Sequence, residues 1–268
     1  MFQEFFGFTR SPFSKDLPTE HLFVTADHKE LAARLTFLLR EQGLGVLTGE
    51  VGAGKSTALR HFVAGLDANR YWVIHLANPT LGLTGLYREL LAALHYEPPF
   101  SRPKLVARLR AAFEELIQTK HRFPLILIDE AHLLPSTAFE PLRLLLSAQM
   151  DSQALGSLLL IGHPELATTL RLSTNQAFNQ RLALRYHLAP LDLQLTLGYI
   201  QHHLAAAGYK GGTLFTDDAL ARIYDYTKGV PRQINRVCVT TLTAGMIDKK
   251  SVLEESTVRK AIADLEQH

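Results

Sequence analysis

The chain has 268 residues, enough for one large domain or a large plus a small one, and 47% of them are hydrophobic, as expected of a globular protein with a sizeable core. Lys and Arg together number 28 against 26 Asp and Glu, which excludes a global positive field, so any nucleic-acid contact must come from a local patch. The single cysteine, Cys238, cannot form an intrachain disulfide and sits in an apolar helical pattern, which fits a small core residue in a reducing, cytoplasmic setting.

The chain opens without the basic and apolar regions of a signal peptide, and no stretch approaches the roughly 18–20 apolar residues of a membrane span. A soluble, cytoplasmic protein with no membrane span is expected. Phe2, Phe5, Phe6, Phe8 and Phe13 crowd a start that carries the turn residues Gly7 and Ser11-Pro12 but no clear period; aromatics this dense pack against a core or cover a nucleotide base. Helix-spaced Leu31, Leu35, Leu38 and Leu39 follow a cap region at Thr25 and Asp27. Short apolar runs at Val46-Leu47, 71–76, 125–128, 158–161 and 184–188 then read as buried parallel strands, and helical patterns at 57–66, 82–95, 103–120 and 136–147 lie between them. That alternation predicts an α/β fold, a parallel sheet between helices with its ligand at the carboxyl ends of the strands. After Pro190 only helical patterns remain, at 193–207, 216–227, 232–247 and 256–266. The expected division is a nucleotide-binding domain over 1–190, including the aromatic start, and a small helical domain over 191–268.

Gly49-Glu50-Val51-Gly52-Ala53-Gly54-Lys55-Ser56 is a complete G-x-x-x-x-G-K-[ST] loop between an apolar run and a helical pattern, the context that the motif requires. Its glycines allow successive N–H groups to turn inward as a nest at the positive end of a helix, which suits the β-phosphate of a nucleotide. Lys55 is expected on the β- and γ-phosphates, the Ser56 hydroxyl on Mg²⁺, and Thr57 beside the α-phosphate. The chain is therefore expected to bind a nucleoside triphosphate.

Leu125-Ile126-Leu127-Ile128 runs into Asp129-Glu130. Downstream of a full phosphate loop, this pair predicts a metal acid and a catalytic acid: Asp129 holds Mg²⁺ through water or Ser56, and Glu130 orients and polarises the attacking water. His163 follows the strand 158–161 and is either a sensor of the γ-phosphate or an ordinary strand-end histidine. His132, His202 and His203 read as surface or supporting residues, and the adjacent His202 and His203 do not share a helical face. Arg181 precedes the last strand and Arg185 enters it. An arginine from a neighbouring subunit would stabilise the transferring phosphoryl group, whereas surface salt bridging is the plainer alternative for both.

With these residues placed, the chain resembles the AAA+ ATPases, P-loop NTPases, and within them the family that includes general secretion pathway protein A and the ATP-dependent regulators of bacterial transposons. The resemblance covers nearly the whole length and rests on Phe6-Gly7-Phe8 with Pro12-Phe13, Gly49 to Ser56, Ile128 to His132, Ile161 to Leu166, Gln180-Arg181, and Gly229 to Asn235. It implies ATP as the nucleotide, bound between subunits, an arginine finger at Arg181, and a sensor arginine at Arg232 contributed by a C-terminal helical lid. His163 stands where the resemblance leads one to expect glutamine.

A secretion-type member is expected to continue past the lid into a membrane span and a cell-wall-binding module, whereas this sequence stops at Gln267-His268. On that ground it looks more like a regulator of transposition, which the resemblance implies would bind duplex DNA when ATP-loaded, form a homo-oligomeric ring or helical filament, and recruit a transposase. Arg102, Lys104 and Arg108 are the candidate phosphate contacts, among a wider set of Arg88, Arg110, Lys120 and Arg122; a merely solvated helix face is the alternative, since Glu114 and Glu115 follow. A secretion-assembly ATPase and a helicase-loader-like switch remain open as alternatives.

Overall fold

The computed structural model describes residues 2–14, 18–148 and 153–267. In chain order the helices and strands are α1 (Phe2–Phe6), α2 (Ala26–Arg40), β1 (Leu44–Gly49), α3 (Lys55–Ala64), β2 (Tyr71–Leu76), α4 (Gly82–Ala93), α5 (Arg102–Gln118), β3 (Phe123–Ile128) and α6 (Phe139–Leu146). The two-residue strands β4 (Ser147–Ala148) and β5 (Gln153–Ala154) form an antiparallel pair, and β6 (Ser157–Gly162), α7 (Pro164–Arg171), α8 (Gln176–Gln180) and β7 (Leu182–Leu188) follow. The remainder is helical: α9 (Leu193–Ala206), α10 (Asp217–Thr227), α11 (Pro231–Ile247) and α12 (Glu255–Glu266).

By its internal contacts the chain divides into two compact units, one of residues 26–49 and 58–188, the other of residues 1–25, 50–57 and 189–268. This partition differs from a boundary near 190, because the aromatic start and the glycine loop group with the C-terminal helices. The first unit holds a five-stranded sheet in the order β2-β3-β6-β1-β7, every neighbouring pair parallel. Burial follows this order. The interior strands β1 and β6 are buried at every position, which explains their mostly apolar sequence, whereas the edge strand β7 alternates buried and exposed residues.

Because strand side chains alternate, each strand feeds two cores. Val46, Ile126, Ile128, Leu158 and Leu160 pack with residues of α4 to α8, including Leu90, Phe113, Phe139 and Phe178. Leu47, Leu125, Leu127, Leu159 and Ile161 pack on the other side with Leu31, Leu35 and Leu38 of α2 and Leu59 and Phe62 of α3. Helices thus cover both faces of a parallel sheet, the architecture expected from the sequence.

In the second unit Asp192 caps α9 by accepting the Leu195 N–H at 2.7 Å, Thr216 caps α10 by accepting the Ala219 N–H at 3.3 Å, and Pro231 opens α11, where its missing N–H costs nothing. Ile200, Ile223, Ile234, Val237 and Leu242 form its core, and Cys238 is wholly buried among them. Phe8 and Phe13 join the same core and Phe2 and Phe6 pack against it, so of the two roles open to the aromatic start the structure realises packing. Thr9 ties this segment down through its hydroxyl and its N–H, both donating to the Ala207 carbonyl at 2.9 Å.

Of the surface and supporting roles open to them, His203 and His202 take the supporting one. His203 is buried, its ring stacked on Phe13 at 5.3 Å, while His202 lies 2.8 Å from the His21 carbonyl. Their rings diverge at 79°, as adjacent helical positions require.

Candidate functional site

The glycine loop is described within the helical unit. Gly52 and Gly54 have φ of +83° and +99°, backbone that side chains bearing a Cβ adopt only under strain, and a Cβ on Gly54 would meet nothing within 4 Å. The loop is thus curled and open at Gly54, as a phosphate cradle must be. The Ala53 N–H donates to the Glu50 carbonyl at 3.1 Å, and the Lys55 ammonium, on a residue only 9% exposed, donates to the same carbonyl at 3.0 Å. Ser56, at the start of α3, is exposed, Thr57 is half-buried and Val51 is exposed at the loop's tip.

Arg232 lies in the first turn of α11, exposed, and its backbone N–H donates to the Gly52 carbonyl at 3.3 Å. Helix N-termini carry N–H groups without helical partners, and here a loop carbonyl takes one of them. The residues present therefore fit a nucleotide's phosphates: a nest, an ammonium, a hydroxyl and an arginine share one neighbourhood.

The acids are described within the sheet unit. Gly49, Ile128 and Gly162 end β1, β3 and β6 at one edge of the sheet, and Asp129 and His163 follow directly on the last two. Asp129 is anchored by its own N–H, which donates to the Leu76 carbonyl at 2.9 Å; its carboxylate accepts the Glu130 N–H at 2.9 Å and lies 3.8 Å from His75. Glu130 has φ +51° and ψ +32°, a left-handed conformation unusual for a residue with a long side chain, and its carboxylate is half exposed.

The Glu130 Oε2 lies 3.4 Å from His132 Nδ1 and 3.6 Å from His163 Nε2, and the two imidazoles stack at 3.9 Å. A Cβ on Gly162 would come within 3.2 Å of both the backbone N and the Nδ1 of His132, so glycine at the end of β6 gives that ring its place. The sequence singled out His163 and passed over His132. The missed signal is the spacing of Glu130 and His132, which a 3₁₀ turn over Ala131–Leu133 brings to one side.

Arg181 is exposed where α8 meets β7, its N–H on the Phe178 carbonyl at 3.1 Å. Arg185 is held by Asn179, whose side-chain oxygen accepts from it at 3.0 Å, which agrees with a structural role for that residue. Of the basic candidates, Arg102 and Lys104 are exposed in the first turn of α5. Arg108 is half-buried and stacks over the Tyr96 ring at 4.1 Å, so it is occupied by packing and differs from its neighbours. Arg110 donates to the Leu144 carbonyl at 2.6 Å, and Arg122 stacks over Trp72 at 4.5 Å. Sequence reasoning also missed Phe100, which is 97% exposed just before Arg102 and Lys104.

Residues 39–170 match the AAA domain family AAA_22. General secretion pathway protein A of Aeromonas hydrophila is 34% identical over 254 residues, covering 91% of this chain; the chain spans 45% of that relative's length. Among solved structures, Cdc6p from Pyrobaculum aerophilum superposes with a TM-score of 0.69 at 17% identity, over 94% of this chain and 70% of that one. The Aeropyrum pernix ORC2 protein, solved as ADPNP–ADP complexes, gives 0.68 at 16% identity over 94% and 70%. The RuvB Holliday junction branch migration motor of Thermotoga maritima gives 0.59 at 17% identity over 88% and 69%. Among the described residues no helix is long and apolar enough to cross a membrane. Sheet order, glycine loop, strand-end acids and domain match agree: the chain has the AAA+ P-loop fold, and its residues 39–170 match the AAA domain of ATPases.

Proposed function

We propose that this chain is an ATP-dependent, oligomeric regulator of DNA transposition that loads onto duplex DNA and recruits a transposase, and that it works in the cytoplasm. ATP is the nucleotide and Mg²⁺ its ion. Lys55 neutralises the β- and γ-phosphates, Ser56 and Asp129 hold Mg²⁺, the backbone from Gly49 to Thr57 cradles the phosphates, and Glu130 orients the water that attacks phosphorus. Arg232 responds to the γ-phosphate from the helical unit, and Arg181 serves the nucleotide of a neighbouring copy.

The observation that carries the DNA reading is the patch at the start of α5, where Arg102 and Lys104 are exposed beside Phe100. Two cations per subunit bind phosphate weakly, but repetition along a ring or filament multiplies them, and contacts of that kind read little sequence. An exposed aromatic next to cations adds an apolar surface for the grooves or bases. Electron microscopy of the protein with duplex DNA and a slowly hydrolysed ATP analogue tests the reading: decorated DNA is expected, and bare DNA at low salt refutes it.

A second reading, an ATPase that assembles a secretion apparatus, is favoured by the similarity to the Aeromonas protein over most of this chain. It predicts nucleotide-dependent self-assembly indifferent to DNA.

A further inference from the structure

Among the described residues one group of three side chains brings donor atoms of His and carboxylate type together, with the ligand atoms of Glu130, His132 and His163 all within 4.8 Å of one another. We propose that these three residues form a binding site for a transition-metal dication of the zinc class, separate from the Mg²⁺ of the nucleotide, and that its occupancy arrests hydrolysis by taking Glu130 out of use.

The spacing is the first argument. Zinc binds His nitrogen and carboxylate oxygen at about 2.0–2.2 Å, so two ligands in a tetrahedral site stand about 3.3–3.6 Å apart. Glu130 Oε2 stands 3.4 Å from His132 Nδ1 and 3.6 Å from His163 Nε2. One oxygen is thus spaced for a shared ion with both rings. Because the imidazoles stack at 3.9 Å and 16°, their in-plane lone pairs run nearly parallel, so binding one cation requires the rings to fan apart. His163 is 27% and Glu130 47% exposed at the side chain, which leaves room for that movement and for a fourth ligand from water.

The second argument is selectivity: two imidazoles and one carboxylate favour zinc, copper or nickel, whereas Mg²⁺ prefers oxygen and water.

Anchoring is supplied by the fold. Asp129 and His163 directly follow the paired strands β3 and β6, and Pro164 starts α7 immediately after His163, so the backbone around both rings is constrained. The inhibitory consequence rests on the role proposed above for Glu130; the binding site does not.

The test uses untagged, full-length, nucleotide-free protein titrated with ZnCl₂ by calorimetry, with CoCl₂ absorption as an independent signature. One saturable equivalent is expected. His132→Gln and His163→Gln should each weaken it by roughly tenfold or more, since loss of an outer-shell partner alone costs 10–100-fold. His202→Gln should leave it unchanged, and circular dichroism confirms that each variant is folded. Absence of a stoichiometric site, or a site indifferent to both His132→Gln and His163→Gln, overturns the proposal. The ATPase rate in excess Mg²⁺ is then read with and without zinc. Inhibition proportional to site occupancy supports both parts, while stoichiometric binding without inhibition upholds the site and refutes Glu130 as the group that orients water.

Discussion

The Cβ position of Gly52 falls 2.5 Å from the Cβ of Arg232, so the glycine loop and the first turn of α11 approach each other more closely than any side chain at position 52 would allow. Gly52→Ala also demands φ near +83°, which costs an alanine roughly 1–2 kcal/mol before the collision is counted. Thermal unfolding of the variant is expected at lower temperature, together with weaker nucleotide binding, because the start of α11 must move away from the loop. An unchanged melting temperature and an unchanged affinity would contradict the relationship.

Lys55 and Glu130 should separate binding from hydrolysis. Lys55→Ala is expected to lose nucleotide affinity, measured with a fluorescent ATP analogue. Glu130→Gln is expected to bind ATP normally while kcat falls by roughly 10²–10⁴, the range for a positioned acid–base group. ATP turnover at the native rate in Glu130→Gln would remove Glu130 from the mechanism.

Much of this was legible in the sequence, for physical reasons that differ between elements. Strands β1, β3 and β6 are buried on both sides, so they announce themselves as short apolar runs, and the glycine loop is a local pattern. Helices α7 and α8 went unrecognised because they have eight and five residues, too short for a periodic signal to build. The docking of Phe8 and Phe13 onto helices nearly 200 positions away is a long-range choice that no local pattern encodes. The proximity of His132 to His163 depends likewise on the pairing of β3 with β6. Conversely, Arg108 read as a free cation because its partner Tyr96 lies outside the helix that displays it.

Arg181 should matter only in assemblies. Arg181→Ala is expected to reduce ATP hydrolysis by about 10³–10⁵, the range for an arginine supplied in trans. Mixing it with Lys55→Ala should restore activity, since composite sites then pair an intact loop with an intact arginine. A titration of one variant into the other measures this, and no recovery at any ratio would argue against action between copies.

Arg102→Ala with Lys104→Ala should lower ATP-dependent DNA retention without altering nucleotide binding. Each phosphate contact contributes about one unit to the slope of log K against log salt, so the slope should fall by about two per subunit engaged. Filter binding from low to moderate salt reads this directly. Arg108→Ala should change the slope little and instead lower stability, given its stacking on Tyr96.

His203 gives stability a pH dependence. Burial, reinforced by the neighbouring His202, lowers its pKa from the ordinary 6.5 to about 4, and its ring lies against Phe13 and Tyr199. The unfolded chain therefore takes up a proton below pH 6.5 that the folded chain refuses, and stability falls as pH drops from 6.5 toward 4. The full loss from this group is about 3 kcal/mol at most. Urea unfolding of the native protein and of His203→Gln across this range should show a flatter profile in the variant.

The left-handed backbone at Glu130 places a cost in stability at the very residue proposed to handle water. Glycine there would relax the turn by about 1 kcal/mol and abolish the carboxylate, so the most comfortable chain and the most active chain are different molecules. Stabilising libraries of this ATPase should accordingly enrich inactive replacements at position 130, and resistance to heat alone would be a misleading guide to engineering it.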